Sequence, residues 1–168
     1  MSVNRRADQE VVELMPGITA RILANRSTGS EMLTIMEATM EPGAAIPYHR
    51  HANADETLFV VEGDAEMLVD GHRFNTGPND TVLAPRGLGH AVRNIGDTPL
   101  KFIAIFPIPD REIEPLDLPS EIIDGRIPSA SFRAEVEPIE IRPGVLRYEM
   151  VGDFVGAEST YLSELVFS

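Results

Sequence analysis

Three histidines and one glutamate carry the chemistry that this sequence offers. His49 and His51 are separated by a single residue, Glu56 follows shortly after, and His90 lies in a second stretch punctuated by Pro85 and Gly87. Side chains alternate along an extended strand, so His49 and His51 point to one face. Three imidazoles and a carboxylate converging inside a small β-structure would make a metal site. The chain has no cysteine, which leaves His, carboxylate and water as the only metal donors and removes thiolate chemistry and disulfides. The fourth histidine, His72, follows an Asp-Gly turn at a hairpin tip and is expected in solvent, outside any ligand set.

Such residues need strands to present them, and the surrounding pattern supplies strands. Glu56 opens the apolar run Leu58-Phe59-Val60-Val61, the return strand after the His-x-His segment. Residues 32–40 read as a long strand, with Met32, Thr34, Met36, Ala38 and Met40 on one face and Leu33, Ile35, Glu37 and Thr39 on the other. Apolar residues on both faces indicate cover on two sides. Asp70-Gly71 signals a type I′ hairpin turn, which needs positive φ at both central residues. Residues 89–94 carry His90, and 100–108 form another apolar strand. Turns recur about every ten residues across 32–108, the all-β sandwich or barrel signature.

The flanks carry less pattern. Residues 1–13 are expected to form a mobile or loosely docked arm, followed by a Pro16-Gly17 turn and a strand over 18–23. Beyond Pro109 the chain is acidic and proline-bearing, with one short helix expected over 119–123, capped by Ser120. Residues 140–145, Glu-Ile-Arg-Pro-Gly-Val, resemble residues 13–18, Glu-Leu-Met-Pro-Gly-Ile. At the same offset Gly156 and Glu158 fall on Gly29 and Glu31, and Glu164 falls on Glu37. Three explanations stand: the remnant of a duplicated domain, a piece of a two-domain protein, or two ordinary strands sharing a Pro-Gly turn. In each, residues 159–167 are an apolar strand that needs a partner, and its edge can pair with another subunit.

The two histidine-bearing stretches together resemble the cupin superfamily. Its first motif runs Gly, five residues, His-x-His, four residues, Glu, six residues, Gly; Gly43, His49, His51, Glu56 and Gly63 satisfy each spacing. In its second motif, Pro85, Gly87, His90 and Asn94 fit, while Asn79 stands in the place of the opening glycine. Asn is the residue that best replaces Gly where φ is positive. The resemblance covers about residues 32–108. It implies a cupin-type jelly-roll β-barrel with a metal in its mouth, ligated by His49, His51, Glu56 and His90. It further implies one divalent transition metal per barrel (Fe, Mn, Ni, Cu, Co or Zn), with positions left open for water, dioxygen or substrate.

The chain of 168 residues is read as a barrel domain with an N-terminal arm over 1–110 and a C-terminal extension over 111–168. Met36, Met40, Leu58, Val60 and Phe102 are candidates for the pocket lining, with Leu88, Val92, Ala104 and Phe106 in the same class. Tyr48 and Arg50 alternate away from the His-x-His face and are expected outside it. Pro85 and Gly87 shape the turn that aims His90, and Asn94 ties down a local loop. The only conceivable further acids or bases are Glu37 and Glu66, both expected on the outer surface. The net charge of −13 repels phosphate backbones and anionic membrane surfaces, so no nucleic-acid or membrane partner is expected. No stretch is long and apolar enough to span a bilayer. A cytoplasmic homodimer that binds a small molecule is expected. Its expected function is metal-dependent, foremost a dioxygenase-type oxidoreductase, because no general base is evident. Non-redox Lewis-acid chemistry (isomerase, decarboxylase, lyase or hydrolase) and a non-catalytic binding module are the alternatives.

Overall fold

The structure, a computed structural model, describes residues 3–157 and 160–167. Ten strands alternate with tight turns through the first two thirds of the chain: β1 (Val12–Met15), β2 (Ile18–Ala24), β3 (Thr34–Met40), β4 (Ala45–Arg50), β5 (Glu56–Glu62), β6 (Ala65–Val69), β7 (His72–Thr76), β8 (Thr81–Ala84), β9 (His90–Asn94) and β10 (Leu100–Phe106). Three two-residue strands follow, β11 (Glu114–Pro115), β12 (Ile123–Asp124) and β13 (Ala130–Ser131). They build two facing sheets, one ordered β1-β2-β3-β10-β5-β8-β13 and the other β11-β4-β9-β6-β7-β12. This is a cupin-type jelly roll in which the sheets face each other without closing into one hydrogen-bonded ring.

Alternate residues of both sheets meet in a single core, with Met36, Leu58, Phe102 and Phe106 from one sheet and Met67 and Val92 from the other. Register makes the fit: Ala104 lies opposite Met36 and Leu58, and Phe102 lies opposite Ala38 and Val60. A large side chain therefore meets a small one across adjacent strands. Each such large apolar side chain contributes about 1.5–3 kcal/mol on burial. The turns follow their residue chemistry. Asp70 and Gly71 have φ of 48° and 79°, and Asn79, in the place of the motif glycine, has φ of 72°.

Several expectations are corrected. The long strand starts at Thr34, and Met32 is 75% exposed outside it. No helix forms over 119–123. Ile123 instead pairs in parallel with His72 as β12. Its N–H donates to the Gly71 carbonyl, and the sheet edge supplies partners that an isolated helical turn lacks. The arm is docked, since Arg6 donates to Glu37 at 2.5 Å. Beyond residue 110, the short strands β11, β12 and β13 pair with β4, β7 and β8.

The remaining strands, β14 (Ile139–Arg142), β15 (Val145–Val151) and β16 (Leu162–Phe167), form a third sheet. The strand expected over 159–167 thus starts at Leu162, and Ser159 lies outside the described residues. The third sheet repeats β1-β2-β3 pair by pair. Ile139↔Arg147 and Arg142↔Val145 repeat Val12↔Ala20 and Met15↔Ile18, and the irregularity between Glu13 and Met15 recurs between Glu140 and Arg142. Val145↔Phe167 and Tyr148↔Glu164 repeat Ile18↔Met40 and Arg21↔Glu37, with the bulge between Ile22 and Ala24 recurring between Glu149 and Val151. The 3-10 turns Arg6–Asp8 and Arg26–Thr28 return as Arg133–Glu135 and Asp153–Val155. The ion pair Arg6–Glu37 returns as Arg133–Glu164. Residues 133–157 and 162–167 thus repeat the fold of the corresponding parts of residues 6–40. The far edge of β3 is filled by β10, whereas among the described residues β16 has no neighbour on that side.

Candidate metal centre

The site begins with a bulge. On β9 one residue lies between His90 and Val92, while on β4 two lie between their partners Ile46 and His49. The extra residue is absorbed at Pro47-Tyr48, where a proline without an N–H costs the ladder nothing. As a result Ile46 and His49 both face inward, His49 directly opposite His90. His51 follows the end of β4, and Glu56 opens β5 opposite Ala84. Backbone contacts fasten the two motif stretches together. The Gly87 N–H donates to the His51 carbonyl at 2.8 Å, and the Arg86 N–H donates to the buried Asp55 carboxylate at 2.9 Å. Gly89 is held against Tyr48: a Cβ there would lie 2.3 Å from the Tyr48 ring.

These elements bring one donor atom from each of His49, His51, Glu56 and His90 within 4.8 Å of one another. Each imidazole is oriented from behind. Nδ1 of His49 donates to the Pro47 carbonyl at 2.8 Å, that of His51 to the Glu112 carbonyl at 2.5 Å, and that of His90 to the Leu88 carbonyl at 3.2 Å. A carbonyl only accepts, so Nδ1 carries the hydrogen and Nε2 is left to the cluster. Nε2 of His51 and of His90 lie 3.0 and 2.8 Å from Glu56 Oε2. Lone pairs and a buried carboxylate converging in this way call for a cation among them, either a proton or a metal ion.

The proton affinities follow from this arrangement. Burial pushes the Glu56 carboxyl up, but the contacts from His51 and His90 more than reverse it and hold the group well below the usual carboxylate range. Burial lowers His90, and the hydrogen bond and charge of Glu56 outweigh it, leaving His90 raised. His49 is lowered, first by burial and then by the neighbouring His90. Three imidazole nitrogens and one carboxylate fit a divalent transition metal rather than an all-oxygen cation site.

The cluster forms the polar end of a cavity of about 370 Å³. Met36 and Phe102 line it, as do Val92 and Phe106. Met40, Leu58 and Val60, expected there, are packed in the core and are not among the residues lining the cavity. His72, expected in solvent, is half-buried beside β12 and is not among the four clustered residues.

With that geometry in place, the family model described as Cupin domain matches residues 36–106. Residues 36–106 belong to the cupin superfamily. Oxalate decarboxylase OxdC from Bacillus subtilis is 36% identical over 107 residues, covering 61% of this chain and 28% of that protein. Its solved structure aligns at a TM-score of 0.58 with 34% identity, over 66% of this chain and 30% of that one, and that enzyme carries Mn(II) centres. Dimethylsulfoniopropionate lyase DddQ from Ruegeria pomeroyi is 38% identical over 65 residues, 38% of this chain and 32% of that protein. The polyketide cyclase RemF from Streptomyces resistomycificus shares the fold at a TM-score of 0.61 with 22% identity, over 72% of this chain and 89% of that one. This cupin thus spans about a third or less of the curated decarboxylase and lyase it matches.

The rest of this cupin's site lies where the sequence offered little signal. Leu14, Met15 and Ile46 line the cavity from β1 and β4, and Arg111, Ile113 and Pro115 line it from the segment after β10. That segment lacks periodicity, and β11 is too short to show any; only its pairing with β4 marks it as part of the site. Tyr48 borders the cavity despite its expected outward position, because the bulge carries its backbone to the rim while its ring packs on Gly89. Glu37 is engaged by Arg6 and Arg21, and Glu66 lies in a separate cleft beneath residues 116–122. Asn94 ties its loop, donating to the Met40 and Thr98 carbonyls and accepting from the Gly96 N–H. No helix among the described residues is long and apolar enough to cross a membrane.

Proposed function

We propose that this cupin is a metal-dependent enzyme of the decarboxylase or lyase type, acting on a small, partly apolar organic molecule. The observation that carries the reading is the convergence of three oriented Nε2 atoms and the Glu56 carboxylate at the end of a cavity with otherwise largely apolar walls. His49, His51, Glu56 and His90 are the proposed ligands. A divalent metal held there would supply Lewis-acid activation of a substrate oxygen. The backbone carbonyls behind each imidazole keep the donors aimed, and Met36, Phe102 and Phe106 keep water from the reacting end. The relatives named for decarboxylase and lyase activity support this class over an oxygenase.

One observation favours the dioxygenase reading as a second choice. Glu56 is the only carboxylate among the described residues on the cavity wall, so no separate general base stands ready. Incubating metal-loaded protein with a panel of small carboxylic acids, with and without dioxygen, separates the two. Product release under nitrogen at the aerobic rate supports the lyase class. Turnover only with stoichiometric oxygen uptake moves the assignment to a dioxygenase, and wild-type protein that takes up no metal removes both.

The same proposal makes the protein a homodimer joined through β16. The equivalent edge of β3 carries a full-length partner strand, and β16 exposes Leu165, Val166 and Phe167 beside an edge with no neighbour among the described residues. A second copy supplies a matching antiparallel edge.

A further inference from the structure

Resting on the metal-dependent reading above, we infer that Arg111 anchors a carboxylate of the substrate, which makes the substrate class a small organic acid. Arg111 is the only lysine or arginine among the described residues lining the cavity. Its guanidinium lies over the Phe106 ring, 4.7 Å from the centroid. Phe106 is buried and meets His51 edge-on at 5.0 Å between ring centroids. These two distances place the guanidinium within about 10 Å of the His51 ring, on the same cavity as the metal cluster.

The acidic side chains one position before and three positions after Arg111 are already matched. Asp110 is taken by Arg26 and Glu114 by Arg50. Among the described residues no carboxylate contacts Arg111, in a chain with 27 acidic and 14 basic side chains. Its backbone is nevertheless clamped on both sides. Asn53 donates to the Asp110 carbonyl at 3.1 Å and accepts from the Glu112 N–H at 3.0 Å, and the Glu112 carbonyl accepts from His51 Nδ1. Asn53 sits in the loop between His51 and Glu56, so one short segment fixes both the cluster and the base of the arginine. A planar guanidinium resting on an aromatic face, with its N–H groups unspent, presents the paired donors that bind a carboxylate. One end of the acid would pair with Arg111, and the other end would reach the four-residue cluster. Apolar walls between the two favour a short carbon spacer.

Malonate tests this, with malonamide as its neutral counterpart, by calorimetric titration into zinc-loaded wild type, Arg111→Gln and Arg111→Lys. Zinc content and melting temperature are measured on the same samples. The expected result is unchanged zinc in all three, malonate binding weakened about tenfold or more in Arg111→Gln, partial recovery in Arg111→Lys, and malonamide binding much weaker than malonate. Equal malonate binding by wild type and Arg111→Gln, no malonate binding by zinc-loaded wild type, or malonamide binding as tight as malonate would each overturn the anchor while leaving the metal reading standing. Wild type without stoichiometric zinc would overturn the metal reading, and the anchor with it.

Discussion

Each histidine of the cluster commits Nδ1 to a backbone carbonyl, which is why the Nε2 of each ring is left free for the cluster. The same reasoning at Glu37 gives a different outcome, because its neighbours are arginines. Arg6 approaches to 2.5 Å and Arg21 to 3.4 Å, and the hydrogen bond from Arg6 holds the Glu37 carboxyl below its ordinary value of 4.5. A carboxyl lowered on folding stabilises the protein fully above 4.5, and that contribution is lost as pH falls toward and through the folded value. Glu37→Gln is therefore expected to reduce stability at neutral pH, with a difference that shrinks steadily below pH 4.5. Urea midpoints of the two proteins measured from neutral to acid pH should converge; a gap independent of pH would contradict the assignment.

At the scale of the element, the two ends of the first motif make a controlled comparison. Gly63 and Gly43 both have positive φ, 83° and 78°. A Cβ on Gly63 would lie 2.9 Å from Leu100 Cα and from the Pro99 carbonyl oxygen, whereas one on Gly43 meets nothing within 4 Å. Gly63→Ala combines strain with a backbone clash and is expected to cost about 2–4 kcal/mol, against about 1 kcal/mol for Gly43→Ala. Denaturant unfolding reads both, and equal losses would show that the close approach of β5 and β10 is not what the glycine serves. Period-two alternation made β3, β5 and β10 legible, along with both motif turns, because each strand has a buried face to reveal it. The bulge at Pro47-Tyr48 was not legible, since an extra residue shows only against its partner on β9. The expected helix at 119–123 failed for a related reason. Ser120 and the following isoleucines carry helical signals, yet Ile123 is left 49% exposed and its N–H is taken by Gly71, a partner distant in sequence.

For the whole molecule, the repeat of residues 6–40 by the described residues of 133–167 is the organising fact. A few matched glycines, prolines and glutamates hinted at it, but side chains on the inner face diverge, with Ala20 and Ile22 matched by Arg147 and Glu149, which pair with each other at 2.7 Å. Pattern alone therefore underrated a correspondence that register makes plain. The consequence is a β3-like strand with no neighbour on its outer edge among the described residues. Val166→Lys places a charge on that strand, a device that blocks edge pairing. Light scattering at about micromolar concentration should find a dimer for the wild type and a monomer for Val166→Lys, both with the same metal content. A wild-type monomer, or a variant that remains dimeric, would remove the tail from the interface.

The most direct test of the central claim is metal content by elemental analysis. Wild type, His49→Ala and His72→Ala are purified without affinity nickel and exposed to the same divalent metal. Because ligand loss removes the binding free energy of the site, about one metal per chain is expected in wild type and His72→Ala and less than about a tenth of that in His49→Ala. Equal metal in wild type and His49→Ala, or equal loss in both variants, would contradict it.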